Sequence, residues 1–236
     1  MTRSVTTDKY VLSFDPGVSN GIALVGYNDD SVWLVKAWQF SGGAGALTRW
    51  LSRNWVESGW NYYHDEPEYA HLVIRDGAGE SLYAEPHANY GYLDEYGNPA
   101  MVEPTLTVIA EKFTARNTKG FSYTTASLEP LRGEGVLIAK GVIPDYQPGV
   151  KEWRDPKYQY VVGGKDKDDK KKRLHAFLKD SGEFYVTGAK HLDGAPNADD
   201  ARSAIGHALS YLAKTRRHKP TFEMISAWGE ENGGDT

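Results

Sequence analysis

Three places in the chain put carboxylates where a backbone element is expected to end or begin. Asp15 closes the run YVLSFD immediately before Pro16-Gly17, a turn signal. Glu111 follows TLTVIA at residues 105–110, whose β-branched content reads as a buried strand. Asp199 and Asp200 head the stretch ADDARSAIGHALSYL, in which Ala201, Ala204, Ile205, Ala208, Leu209 and Leu212 recur at helical spacing. If the two strands are neighbours and the helix packs across their ends, these acids converge on a hard-oxygen site for Mg²⁺ or Mn²⁺, which take carboxylate and water ligands. Two such ions about 3.5–4 Å apart activate a water and stabilise the leaving oxygen of a phosphodiester. Each acid alone has a plainer reading. Asp favours turns, a strand-end Glu is commonly solvated, and Asp199 and Asp200 suit a helix N-terminus as cap and first-turn residues. Their joint placement, in order and with these flanks, is what points to metal.

The elements that must position the acids can be read in outline. Residues 10–15, 21–26 and 31–40 are three β-rich runs, the last two separated by Asn28-Asp29-Asp30, and they predict an antiparallel meander. Leu47, Trp50, Leu51 and Trp55 share one helix face. Residues 125–140 carry Leu128, Leu131, Leu137 and Ile138 on a second helix, with Gly133 and Gly135 at points of close packing, and a short extended stretch runs from Gly141 to Tyr146. A glycine-led loop at 163–164 opens a third helix that buries Leu174, Phe177 and Leu178, and the tail 229–236 is expected to be disordered.

Composition narrows the class. The chain has 236 residues, 40% hydrophobic and 25% charged, and no apolar run approaches the roughly 20 residues needed to cross a bilayer. The first ten residues, MTRSVTTDKY, lack the apolar segment of a secretory signal, so a chain that starts where the sequence starts, and a cytoplasmic location, are expected. The absence of cysteine removes disulfides, thiolate nucleophiles and thiolate-held metals. Residues 57–96 hold nine acids against one base, Arg75, so that segment has charge −8 within a net −5 and the remaining body is +3. Together with nine aromatics from Trp55 to Tyr96, this marks residues 57–104 as an insertion suited to a protein contact or to shaping access, since phosphate would repel it.

Several motifs resemble one family. FDPGVSNGIALV is similar to the first strand and turn of the RuvC Holliday-junction resolvases of the RNase H-like superfamily, VIAEKF to their second acidic motif, and NADDARSAIGHAL to their last. LEPLRGEGVLIAKG resembles the helix after the second acid, and GVKEW with VVGGKDKDDKKK resembles the lysine-bearing segments. The match covers most of the chain outside 57–104 and is diffuse, with the look of a phage-encoded relative. The resemblance implies an α/β fold with a five-stranded mixed sheet flanked by helices, in a single domain over 1–228. It implies a Mg²⁺- or Mn²⁺-dependent endonuclease with two ions per site, acting as a homodimer on branched DNA such as four-way junctions and leaving 5′-phosphate and 3′-hydroxyl ends. The setting would be the cytoplasm, that of a bacterial host for a phage protein.

Carried over residue by residue, Asp15, Glu111 and Asp200 would be metal ligands. The family has a further Asp or His three positions before the last Asp; here Asn197 stands there, so either Asp199 supplies the fourth carboxylate or Asn197 offers a weaker amide oxygen. Lys151, or a lysine of 165–172, would stabilise charge developing on the phosphate. Lys165, Lys167, Lys170, Lys171, Lys172 and Arg173 are candidate DNA contacts, although the acid-first pairs Asp166–Lys170, Asp168–Lys172 and Asp169–Arg173 equally describe a solvated helix. KTRRHK at 214–219 is a second basic cluster, and His191 and His207 read as structural. Two other classes stay open: an actin-like or sugar-kinase-like ATPase, and a catalytically inactive DNA-binding or scaffolding protein.

Overall fold

The computed structural model describes residues 8–58, 71–76, 78–84, 105–113, 124–148, 167–188 and 197–232. Strands β1 (Lys9–Asp15), β2 (Ser19–Tyr27) and β3 (Val32–Ser41) form the expected meander, antiparallel at both junctions. The β2–β3 turn closes through Asn28, whose Oδ1 accepts from the backbone N–H groups of Asp30 and Ser31 at 3.1 and 3.0 Å, the local bonding that makes Asn a turn residue.

Alternation along β1 and β2 builds two cores. Val11, Ala23 and Val25 face one side, while Leu12, Phe14, Ile22 and Leu24 face the other, and all are buried. The second side is covered by helix α1 (Gly43–Asn54), whose Leu47, Trp50 and Leu51 pack among Phe14 and Trp38. Trp55, assigned to the same helix face from sequence, instead begins strand β4 (Trp55–Ser58). β4 pairs with β5 (His71–Arg75), and β5 with β6 (Ser81–Ala84), in a separate antiparallel sheet. The acidic insertion, unassigned from sequence, thus contributes strands. Its Ile74 and Tyr83 are buried in the core beside α1; its remainder lies outside the described residues.

Strand β7 (Leu106–Ala110) lies parallel to β1, giving a four-stranded mixed sheet in the order β3-β2-β1-β7. The sequence reading expected five strands. Residues 141–146, where the fifth was sought, form no strand: Tyr146 makes an isolated parallel bridge to Ile109, in which the Asp145 N–H donates to the Val108 carbonyl at 2.8 Å and the Ala110 N–H to the Tyr146 carbonyl at 3.2 Å. Asp145 takes over part of that role, accepting the Val108 N–H on its carboxylate at 2.7 Å. Helix α2 (Thr125–Ala139) packs Gly133 against Pro16 so closely that a Cβ there would stand 2.6 Å from the proline ring, and it buries Leu137. Leu131 and Ile138 point outward, and Gly135 has nothing within 4 Å of an added Cβ.

The other face of the sheet carries α3 (Lys167–Asp180), α4 (Asp199–Lys214) and α5 (Lys219–Glu231). Leu174, Phe177 and Leu178 of α3 and the whole expected stripe of α4 are buried. α5 runs through Gly229 to Glu231, which corrects the expected start of a disordered tail there; His218 and Pro220 open this helix and Ile225 anchors it in the core. Five helices are thus described around the sheets, and none is long and apolar enough to cross a membrane.

Candidate metal centre

The site grows out of strand register. Asp15 is the last residue of β1, and on the parallel partner Phe14 stands opposite Ala110. The Glu111 N–H then donates to the Phe14 carbonyl at 2.9 Å, which extends the ladder by one step and sets Glu111 beside Asp15. On the other side of β1, Asp15 pairs with Gly21, and Gly21 pairs with Gln39 of β3. Directly opposed residues share a face, so Asp15, Gly21 and Gln39 form one row beneath α4.

Gly21 is needed in that row. A Cβ there would collide with the Asp200 carbonyl and stand 2.7 Å from the Ala201 nitrogen, so the start of α4 rests on bare β2 backbone. Gln39 holds it there. Its Oε1 accepts from the Asp200 and Ala201 N–H groups at 2.9 and 3.0 Å, and its Nε2 donates to Asn197 Oδ1 at 2.7 Å.

Two turns along α4, His207 reaches the acids. Its ring is fully buried, and Nε2 lies 2.9 Å from Glu111 Oε2. Ligand atoms of Asp15, Glu111 and His207 all fall within 4.8 Å of one another. The Asp15 carboxyl is held well above the usual carboxylate range. Burial is the first cause and the Glu111 charge the second; a hydrogen bond with Glu111 and the Asp200 charge add to it, while His207 opposes. Two partly buried carboxylates crowded together, with a third acid close by, favour a cation between them. Those carboxylate oxygens suit a divalent ion such as Mn²⁺ or Mg²⁺, with the His207 imidazole close enough to bond one of them.

The other candidates are distributed unevenly. Asp200 acts on Asp15 through its charge but lies outside the tight group of three. Asp199 pairs with Arg202 at 3.4 Å, and that guanidinium also donates to the Val186 carbonyl. Asn197 directs its Oδ1 to Gln39 and, at 3.3 Å, to the Asp199 N–H. Lys151, Lys165 and His191 lie outside the described residues. Lys167, Lys170 and Lys171 are in the N-terminal part of α3; Lys172 beyond them is exposed, and Arg173 lies over the Trp228 ring at 5.7 Å. The second basic cluster begins where α4 ends, about 20 Å along the helix axis from Asp200. There Arg216 donates to the Tyr211 hydroxyl at 2.8 Å.

His207 is the member that sequence reasoning passed over as structural. A signal was present: it stands seven residues after Asp200, on nearly the same face of α4.

No family model matches the chain, and no curated protein matches it in sequence. Among solved structures, it is similar to the Thermus thermophilus RuvC structure at 12% identity and TM-score 0.40, over 88% of this chain and 96% of that one. It is also similar to the T. thermophilus RuvC in complex with Holliday junction substrate, at 11% identity and TM-score 0.39, over 89% and 96%. The geometry of the acids, and not this distant likeness, carries the functional reading.

Proposed function

We propose that the protein is a divalent-metal-dependent endonuclease that hydrolyses phosphodiesters in branched DNA such as four-way junctions. The observation that carries this reading is the group Asp15, Glu111 and His207, gathered within 4.8 Å at the end of the β1–β7 pair, with the Asp200 charge beside it. Asp15, Glu111 and Asp200 would hold Mg²⁺ or Mn²⁺, in one or two positions, with Asp199 as a further donor. When bound, such ions activate a water for attack on phosphorus and neutralise charge on the leaving oxygen. The chain's own groups do the rest. His207 Nε2 donates to an ionised Glu111 and fixes the direction of that carboxylate, as outer partners do for metal ligands. The row Asp15–Gly21–Gln39 keeps α4 and its acids at a constant height above the sheet.

Lys151 and the basic run Lys165, Lys167, Lys170, Lys171, Lys172 and Arg173 would engage phosphate, Lys151 against charge that develops in the transition state. A homodimer would bring two such sites to one junction. What supports it is the outer face of α2, where Leu131 and Ile138, seven residues apart, are 47% and 57% exposed.

The test is cleavage of a synthetic four-way junction with Mg²⁺ or Mn²⁺, set beside ATP hydrolysis. Metal-dependent nicking that Asp15→Asn and Glu111→Gln both abolish is expected. Junction cutting at the wild-type rate by either variant would sink the metal assignment, and ATP turnover without cleavage would favour the kinase-like class instead.

A further inference from the structure

We propose that Gln39 is a positioning residue for the metal centre: with Asn197 it clamps the first turn of α4 and so sets where Asp200 stands relative to Asp15 and Glu111. This rests on the metal-binding reading above. The first N–H groups of a helix have no partner within it and are usually met by a side chain at the N-cap. In α4 the N-cap is Ala198, which has nothing to offer. The acceptor comes instead from a different element, 161 residues away in sequence: Gln39 Oε1, on β3, takes the N–H groups of both Asp200 and Ala201.

Only one orientation of that carboxamide works. Turned over, its NH₂ would face two N–H donors. With the oxygen committed to α4, the Nε2 group must donate elsewhere, and it finds Asn197 Oδ1 at 2.7 Å. Asn197 Oδ1 also receives the Asp199 N–H, so both of its lone pairs are used. Asn197 therefore serves as a bracket that orients the Gln39 amide, and a carboxylate or imidazole at 197 would not be required for the site. Gln39 is 6% exposed, and it lies in register with Gly21 and Asp15 on one row of the sheet. Any shift of this clamp is passed directly to Asp200, whose own N–H it holds.

A helix cap could stabilise the fold without concern for metal, so the readout must separate the two. The molecule contains a matched control. Glu129 of α2 accepts the Ala44 N–H at 3.0 Å and caps α1 in the same cross-element way, on the opposite face of the sheet. Mn²⁺ affinity of the DNA-free protein is measured by calorimetry, with the bound-Mn²⁺ electron paramagnetic resonance spectrum as a second readout, for wild type, Gln39→Leu, Asn197→Ala, Glu129→Leu and Asp15→Asn. Expected are a loss of Mn²⁺ affinity of about 10- to 100-fold in Gln39→Leu, a smaller loss in Asn197→Ala, an altered spectrum in both, and unchanged binding in Glu129→Leu despite a lower Tm. A folded Gln39→Leu that binds Mn²⁺ as wild type does would overturn the proposal. Should that variant not fold, Asn197→Ala decides in the same way: weakened binding supports the clamp and unchanged binding overturns it. Wild type that binds no Mn²⁺, or an Asp15→Asn that binds it fully, would instead overturn the metal reading on which the clamp depends.

Discussion

Gly21→Ala adds one methyl group to a buried residue of the inner strand β2 and is expected to damage both the fold and the site. The new Cβ would overlap the Asp200 carbonyl and come within 2.7 Å of the Ala201 nitrogen, where ordinary contact begins at 3.4 Å. Both neighbours are backbone, so no side chain can swing aside, and α4 must retreat by at least about 0.7 Å measured at Ala201 alone. Overpacking of this kind costs about 1–3 kcal/mol. At about 2–4 °C per kcal/mol for a chain of this length, Tm should fall by about 2–12 °C. The retreat lifts Asp200 away from Asp15 and stretches both hydrogen bonds to Gln39. A misplacement near 1 Å can cost about 100-fold in rate, so junction cleavage should drop by more than the loss of stability explains at a temperature where the variant is folded. Gly135→Ala is the matching control, because nothing lies within 4 Å of a Cβ there and the position is inside a helix. It should raise stability by about 0.4–1 kcal/mol and leave cleavage alone. A Gly21→Ala protein with wild-type Tm and wild-type Mn²⁺ affinity would refute the close approach of α4 to β2, and with it the account of how Asp200 reaches the site.

Three further outcomes are expected. Because the Asp15 carboxyl is raised chiefly by burial, its ionised form destabilises the metal-free fold; the cost is absent below the unfolded carboxyl's value of about 3.9 and grows as pH rises through the raised one. In EDTA, Asp15→Asn should therefore melt higher than wild type at pH 7, with the gap closing towards pH 4, while Mn²⁺ binding is lost; a variant less stable than wild type at pH 7 would contradict the sign. His207→Ala removes the partner of Glu111 Oε2 and should weaken Mn²⁺ by about 10- to 100-fold, measurable by calorimetry, and full retention would return His207 to a packing role. Leu131→Asp with Ile138→Asp should halve the mass seen by light scattering while changing stability by no more than about 0.5 kcal/mol per site; an unchanged mass would remove α2 from the dimer proposal.

Local periodicity determined a good deal of this protein by itself. The meander β1–β3, the helical stripes of α3 and α4 and the strand before Glu111 follow from alternation and 3.6-residue spacing, which depend on near neighbours in the chain. Asp15, Glu111 and Asp200 were legible as candidates because each sits at the boundary of such an element. What the sequence did not determine were contacts made across large separations. His207 reads as one more residue on an apolar helix until β7 brings Glu111 to its Nε2. Gln39 is an unremarked polar residue in a strand until the register with Gly21 sets it under a helix that begins 160 residues later. Within the acidic insertion, the strands β4 to β6 lack clean alternation, and they hold because Ile74 and Tyr83 find a place in the core beside α1. The apolar residues of α2 divide differently from what their spacing suggests, since Gly133 and Leu137 are buried and Val136 packs partly against the core, while Leu131 and Ile138 face outward. Spacing fixes which side chains share a face, and only the packed tertiary structure decides what that face meets.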